Sequence, residues 1–404
     1  MSTLWQRDEP VDPWFEAFLA GEDRELDLQL VPHDCRASLV HARMLQDLGV
    51  LSTEELSAIA AILEEIREHA ERGEFRIAPD EEDGHTAIEN VLVARCGDAG
   101  KKIHTGRSRN DQVLTALRLW EKEQLAALLA ALDAYVDALD TARARQGHVA
   151  MPGYTHMQAA MPTTVDVWLG SFAAAAADDR RYLELAQEAV DQCPLGTAAG
   201  FGVPVFALDR ARTAAELGFA RVQTNPLHAQ LSRGRTEALL LSACGQAMQG
   251  LNRLAADLLL FSTREFHLVS LPEALCTGSS IMPQKRNADV LELVRGSLHV
   301  VLGEEAKIRT LTAGLMSGYN RDVQLSKGPL MNGVKTTLNG LRAMTMVLEG
   351  LTVDAEACAA ALTDELYATE RALTLVAQGV PFRDAYRRVA AGEKLRRNDQ
   401  AKGA

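Results

Sequence analysis

Residues 107–146 read RSRNDQVLTALRLWEKEQLAALLAALDAYVDALDTARARQ, forty positions without a glycine or a proline. Leu114, Leu117, Leu125, Leu128, Leu132, Tyr135 and Leu139 recur at the spacing of one helix face. A helix of that length spans roughly 60 Å at 1.5 Å per residue. Such an element exceeds what a small domain can cover, and it predicts a bundle of long helices completed by other subunits.

Upstream, Gly100 to Gln112 is dense in polar groups (Lys101, Lys102, His104, Thr105, Arg107, Ser108, Arg109, Asn110) and lies at the start of this helix. Free backbone N–H groups and the helix dipole favour an anion there. Further upstream, Ser52 followed by Glu55 reads as a capping box, and Leu56, Ile59, Leu63 and Ile66 keep one apolar face until Gly73. An acidic connection, Phe75 to Asp83, leads into another helix that stops near Gly97. His85, at the start of that helix, reads either as a ligand or as a polar contact and is retained as a substrate-binding candidate.

Downstream, the turn Pro152-Gly153-Tyr154-Thr155-His156-Met157-Gln158 precedes a helical stretch expected from Pro162 to Cys193. Gly196, Gly200 and Gly202 lie outside the G-x-G-x-x-G spacing and follow no strand, so they predict a close-packed turn and not a dinucleotide site. A helical stretch expected from Arg235 to Leu271 contains Gly245 and Gly250, each of which weakens a helix by ~1 kcal/mol; close helix–helix approach is the compensation. Then comes Thr277-Gly278-Ser279-Ser280-Ile281-Met282-Pro283-Gln284-Lys285-Arg286-Asn287, two adjacent hydroxyls on a glycine hinge with a lysine and an amide behind them. A helical segment follows to about Thr312, then a polar cluster from Gly314 to Pro329, a helix over 331–351 and a small tail domain whose last residues, Glu393 to Ala404, are charged and expected to be disordered. No period-2 strand is evident, so the fold class is all-α.

The net charge of −13 argues against a nucleic-acid partner, because neutralising phosphates needs a basic face. No apolar run approaches the ~18–20 residues of a membrane helix, and no basic-then-apolar leader is present. Six scattered cysteines without a CxxC pair or metal-type spacing fit a reducing cytoplasm. Cys276 has no adjacent His or Lys to activate it and reads as a packed thiol.

Four polar clusters, at 105–112, 153–158, 278–287 and 317–327, therefore interrupt an apolar-periodic chain. They offer Arg, Lys, Ser, Thr, Asn and His without a metal-type carboxylate array. That set suits carboxylate binding and proton transfer.

The runs His104-Thr105-Gly106-Arg107-Ser108-Arg109-Asn110-Asp111-Gln112, Pro152 to Gln158 and Gly278 to Asn287 resemble the argininosuccinate lyase family of the aspartase/fumarase superfamily. G-S-S-x-M-P-x-K-x-N is a superfamily pattern; G-R-S-R-N-D-Q and S-G-Y-N-R-D-x-Q point to the family. The resemblance implies a three-domain all-α subunit (1–106, 107–350 and 351–404) whose central long-helix bundle forms the core of a homotetramer. It implies reversible β-elimination of argininosuccinate to arginine and fumarate, as in arginine biosynthesis, with no metal and no organic cofactor, at sites drawn from three subunits. Carried over by motif, Ser279 is the base, Lys285 supports it, and His156 is a catalytic histidine partnered by Glu292. Ser108, Asn110, Thr155, Lys285 and Asn287 are assigned to the succinyl carboxylates, Tyr319, Gln324 and Lys327 to the arginine part, Arg109 to substrate binding, and Arg233 to a family arginine.

The chain departs from the pattern in places. No G-G-R-F follows Leu4-Trp5, Phe18 stands for a substrate-contacting serine, 225–235 reads Leu231-Ser232-Arg233-Gly234 in place of S-D-R-D, Ala288 replaces a proline, and the C-terminal domain is short. Another fumarate-releasing lyase (adenylosuccinate lyase, fumarase or aspartase) and a non-catalytic crystallin-like relative are the competing readings.

Overall fold

A computed structural model describes residues 12–393; the sequence departure after Leu4-Trp5 and the tail beyond Glu393 lie outside these residues. Eight helices carry the account: α1 Val31–Asp47, α2 Thr53–Glu71, α3 Gly84–Cys96, α4 Arg109–Gln146, α5 Val165–Val190, α6 Arg235–Phe261, α7 Asp289–Leu311 and α8 Lys327–Gly350. Between α4 and α5 lies the hairpin β1 Ala150–Thr155 and β2 Gln158–Thr164, and before α7 the two-residue strands β3 Thr277–Gly278 and β4 Arg286–Asn287. The chain forms two compact units, each made of three segments: Met1–Ala131, Asp179–Gln249 and Ser297–Asn339 in the first, Leu132–Asp178, Gly250–Gly296 and Gly340–Ala404 in the second.

In the first unit α2 starts as its sequence dictates. Ser52 Oγ accepts from the Glu55 N–H at 3.2 Å and Glu55 Oε2 accepts from the Ser52 N–H at 2.9 Å, closing the capping box. Ile59, Ile62, Leu63 and Ile66 then pack with Val31, Cys35 and Leu45 of the α1 region and with Ile88 and Leu92 of α3. The first three turns of α4, from Asp111 to Glu121, are buried on every side, which takes Arg118 and Glu121 inside with the leucines.

The glycine-rich segment acts as a socket for the start of α4. Asp111 accepts from the Gly196 and Ala198 N–H groups at 2.9 and 2.7 Å, and Gly196, Ala198, Gly200 and Gly202 all take positive φ to present them. On α6, a Cβ at Gly245 would lie 3.2 Å from Leu302, the close helix approach its glycine predicted.

In the second unit the end of α4 is tied to the end of α8: Arg145 and Gln146 donate to the Leu351 carbonyl at 2.8 and 3.0 Å, and the Val353 N–H donates to Gln146 at 2.6 Å. Two sequence expectations change here. Residues 150–164 form a hairpin, so α5 begins at Val165 and not at Pro162, and α6 ends at Phe261 and not at Leu271. The strands escape a period-2 reading because Pro152 lies opposite Pro162 and a bulge at Gly153/Tyr154 shifts the register. The protein is mainly helical all the same.

Candidate active site

The first unit contains a pocket of about 160 Å³ whose wall includes Asp23, Glu82, Asp83, Arg109, Asn110, Arg233, Tyr319, Arg321, Gln324 and Lys327. Six candidates from the sequence meet there: Arg109, Asn110, Arg233, Tyr319, Gln324 and Lys327. Arg109 and Asn110 open α4, where Ser108 Oγ accepts from the Asn110 N–H at 3.3 Å and Asp111 accepts from the Ser108 N–H at 2.9 Å. Arg233 occupies an extended residue between the short helix Pro226–Ser232 and α6. The break is held by Gly234 at φ 81°, where any Cβ would collide with Thr312.

Three of the four pocket cations are matched by acids. Glu82 accepts from Arg109 at 2.7 Å and from Arg321 at 2.6 Å, Asp83 lies 3.3 Å from Arg109, and the Lys327 ammonium contacts Asp23 at 2.7 Å and Asp27 at 2.6 Å. Lys327 is only 1% exposed, so its charge depends on these partners. Burial pushes the Asp23 carboxyl up to about 6, with Lys327 opposing the rise. Gln324 donates to the Leu19 and Ala20 carbonyls at 2.8 and 3.3 Å and accepts from Arg321 at 3.1 Å, pinning one pocket wall to the chain's first described helix.

His85 is not on that wall. It is buried, with Nδ1 2.6 Å from Asp34, which also accepts from Gln112 and Ser38. Burial tends to discharge this imidazole, but Asp34, Asp83 and Asp27 outweigh burial and hold its pKa above the usual range. Its Nε2 has no hydrogen-bond partner. Phe18 is 68% exposed and stacks on Trp14; the wall residue nearest to it in sequence is Asp23.

The second unit carries the remaining candidates on two devices. Thr155 pairs with Gln158 across the hairpin end, and His156 and Met157 form the two-residue turn with φ 53° and 61°. Turns of this kind favour Asn-Gly, so two bulky left-handed residues are strained. The hairpin is anchored by Tyr154, whose ring lies 5.7 and 5.9 Å from those of Phe261 and Phe266.

The other device is the loop 279–285, closed at its base by the β3–β4 ladder and by a Thr277–Asp289 hydrogen bond. Ser279 Oγ accepts from the Met282 and Ile281 N–H groups at 3.1 and 3.4 Å. Lys285 is exposed, Asn287 ends the ladder, and Glu292 is exposed on the first turn of α7. Cys276 is half-buried, and burial with Glu273 pushes its thiol pKa up, away from a reactive thiolate.

Sequence reasoning missed Asp23, Glu82, Asp83 and Arg321 as pocket walls. The run Glu81-Glu82-Asp83 read as a mere acidic connection; its signal was a row of three adjacent acids immediately before a helix start.

A long-helix fold, a polar pocket at the start of one helix and a hydroxyl loop at the start of another accord with the lyase class that the sequence motifs imply. The sequence matches the family described as "Lyase" over residues 6–303. It is 48% identical over 388 residues to the argininosuccinate lyase of Sorangium cellulosum, covering 96% of this chain and 90% of that protein. The argininosuccinate lyase of Thermotoga neapolitana is 45% identical over 387 residues, covering 96% and 97%. In structure the chain resembles an EDDS lyase in complex with formate (TM-score 0.82, 26% identity, 95% of this chain and 76% of that one). A class II fumarase from Schistosoma mansoni shares the fold (TM-score 0.81, 17% identity, 96% and 89%). The chain belongs to the argininosuccinate lyase family of the aspartase/fumarase superfamily.

Proposed function

We infer that the protein cleaves argininosuccinate reversibly to arginine and fumarate by general acid–base catalysis. One observation carries the choice among fumarate-releasing reactions: three of the four cations on the pocket wall, Arg109, Arg321 and Lys327, are each paired with a carboxylate. A near-neutral pocket with separated charges suits an amino-acid zwitterion, whereas a phosphorylated substrate such as adenylosuccinate requires surplus cations.

Removing a proton from the carbon beside a carboxylate builds a second negative charge on that carboxylate. Ser279 is assigned as the base. Two backbone N–H groups aimed at its oxygen favour the alkoxide, and Lys285 adds positive charge nearby in sequence. His156 and Glu292 are assigned to proton transfer toward the leaving guanidino nitrogen. The strained turn that displays His156 supports a functional reason for its conformation. Ser108, Asn110, Thr155, Lys285 and Asn287 are assigned to the succinyl carboxylates, Tyr319, Gln324, Lys327 and Arg233 to the arginine half, and Arg109 to substrate binding. His85 is assigned a supporting role through Asp34 and not direct contact.

These groups lie on separate devices, and we assign their union to a homotetramer in which different subunits supply them. The six cysteines are free thiols and accord with a cytoplasmic enzyme. No described helix is long and apolar enough to cross a membrane.

The deciding test follows fumarate absorbance with argininosuccinate and with adenylosuccinate. Release from the first alone is expected; release from the second alone overturns the assignment.

A further inference from the structure

The pocket acids differ in how fully they are engaged. Glu82 is bracketed by two guanidinium groups. Asp83 caps α3, accepting from the Thr86 N–H at 2.8 Å and its hydroxyl at 2.7 Å, and faces Arg109. Asp27 accepts from the Gly84 N–H at 3.2 Å besides Lys327. Asp23, 9% exposed and on the pocket wall, has Lys327 as its ion-pair partner among the described residues. Lys327 keeps Asp27 if Asp23 turns to something else.

A paired Asp23 and Lys327 on one wall match a ligand that carries both charges on one carbon. We propose that Asp23 accepts the α-ammonium of the amino-acid half of the substrate while Lys327 takes its α-carboxylate, making Asp23 the residue that selects α-amino acids. This rests on the reading of the pocket as the arginine side of an argininosuccinate-cleaving site.

The exchange conserves charge: the ligand's ammonium replaces Lys327 against Asp23, and its carboxylate replaces Asp23 against Lys327. A poorly hydrated carboxylate has little to lose by binding, so its bond to an ammonium is strong. Burial places the Asp23 pKa at about 6, and the charged groups that face it are Lys327, Asp27 and Arg233. At pH 7 it is therefore mainly ionised, and acidification through pH 6 removes the acceptor.

The test runs the reaction in the condensing direction, with fumarate and either L-arginine or 5-guanidinopentanoate, which is arginine without its amino group. The full-length wild type is expected to favour arginine by roughly 10- to 100-fold in kcat/KM, the range for one charge-assisted hydrogen bond. Asp23→Asn should lose about that factor for arginine, mainly through KM, and leave 5-guanidinopentanoate within about threefold, so that the preference collapses towards one. Asp23→Glu should restore part of it. The rise in the arginine KM on acidification below about pH 6 should also vanish in Asp23→Asn.

An unchanged preference in a natively folded Asp23→Asn overturns the proposal. If that variant does not fold, the wild type still decides, because equal kcat/KM for the two guanidino substrates overturns it. Failure to use arginine at all removes the reading of the reaction together with the proposal, whereas arginine turnover with an unaltered preference removes only the role of Asp23.

Discussion

His156 and Met157 show how one position can serve chemistry against stability. Each holds a left-handed conformation that costs roughly 1–2 kcal/mol in an L-residue other than glycine or asparagine. Met157 is 72% exposed, so its side chain contributes little burial in return. Met157→Gly is expected to raise stability by about 0.5–1 kcal/mol, read as a shift of the thermal midpoint. His156→Asn should fold at least as well, since asparagine suits the turn, yet lose turnover by a factor of ~10² or more if the imidazole transfers a proton. Near-normal turnover in His156→Asn would remove it from the chemistry. Ser279→Ala should cost a larger factor, ~10³ or more, without lowering the thermal midpoint appreciably.

At the scale of the element, α4 combines a buried beginning with charged residues inside it. Glu121 is fully buried, and burial raises its carboxyl to about 8; Arg118 and Arg233 oppose that rise and Glu237 adds to it. The Arg118 guanidinium donates to Ser232 at 3.0 Å and stands 3.8 Å from Glu121. A carboxyl raised in the folded state is protonated there while the unfolded chain, near 4.5, has released its proton. Stability is therefore highest below about pH 4.5 as far as this group is concerned, and it declines as pH rises to about 8. Glu121→Gln should flatten that decline, so its advantage in thermal midpoint over wild type should be greater at pH 8 than at pH 5. An advantage that does not grow with pH would mean Glu121 is already ionised.

The same scale shows what a sequence reveals and what it withholds. The α2 capping box, the α3 stop at Gly97 and the apolar face of α4 were legible because neighbours within four residues determine them. The hairpin was not legible, since two facing prolines and a bulge erase strand periodicity. The motif residues of the pocket were legible, but their counter-charges were not: Glu82 meets Arg321 across 239 residues and Asp27 meets Lys327 across 300. Such pairings depend on tertiary placement, which local pattern does not encode.

For the whole molecule, exposed apolar residues mark faces that water alone does not suit. Tyr182 and Leu185, 48% and 53% exposed, lie one turn apart on α5, and Val300 and Leu302 are 44% and 43% exposed on α7. If the proposed tetramer forms, Leu185→Glu is expected to shift the species seen by light scattering from four chains towards fewer, with turnover falling in parallel if subunits share sites. Mixing inactive Ser279→Ala and Asn110→Ala chains should restore part of the activity after subunit exchange; no recovery counts against shared sites.

The pairing of pocket acids with pocket cations also governs what the protein ignores. Inorganic phosphate abounds inside cells, and a cleft of bare guanidinium groups would be occupied by it continuously. Because Glu82 already holds Arg109 and Arg321, the resting cleft has little to offer such an ion beyond Arg233. Glu82→Gln should uncover Arg321, since Arg109 keeps Asp83 and Thr86, and turnover of that variant should become more sensitive to millimolar phosphate than that of the wild type. Glu82 would then act by keeping commonplace anions from occupying the space that the substrate must enter.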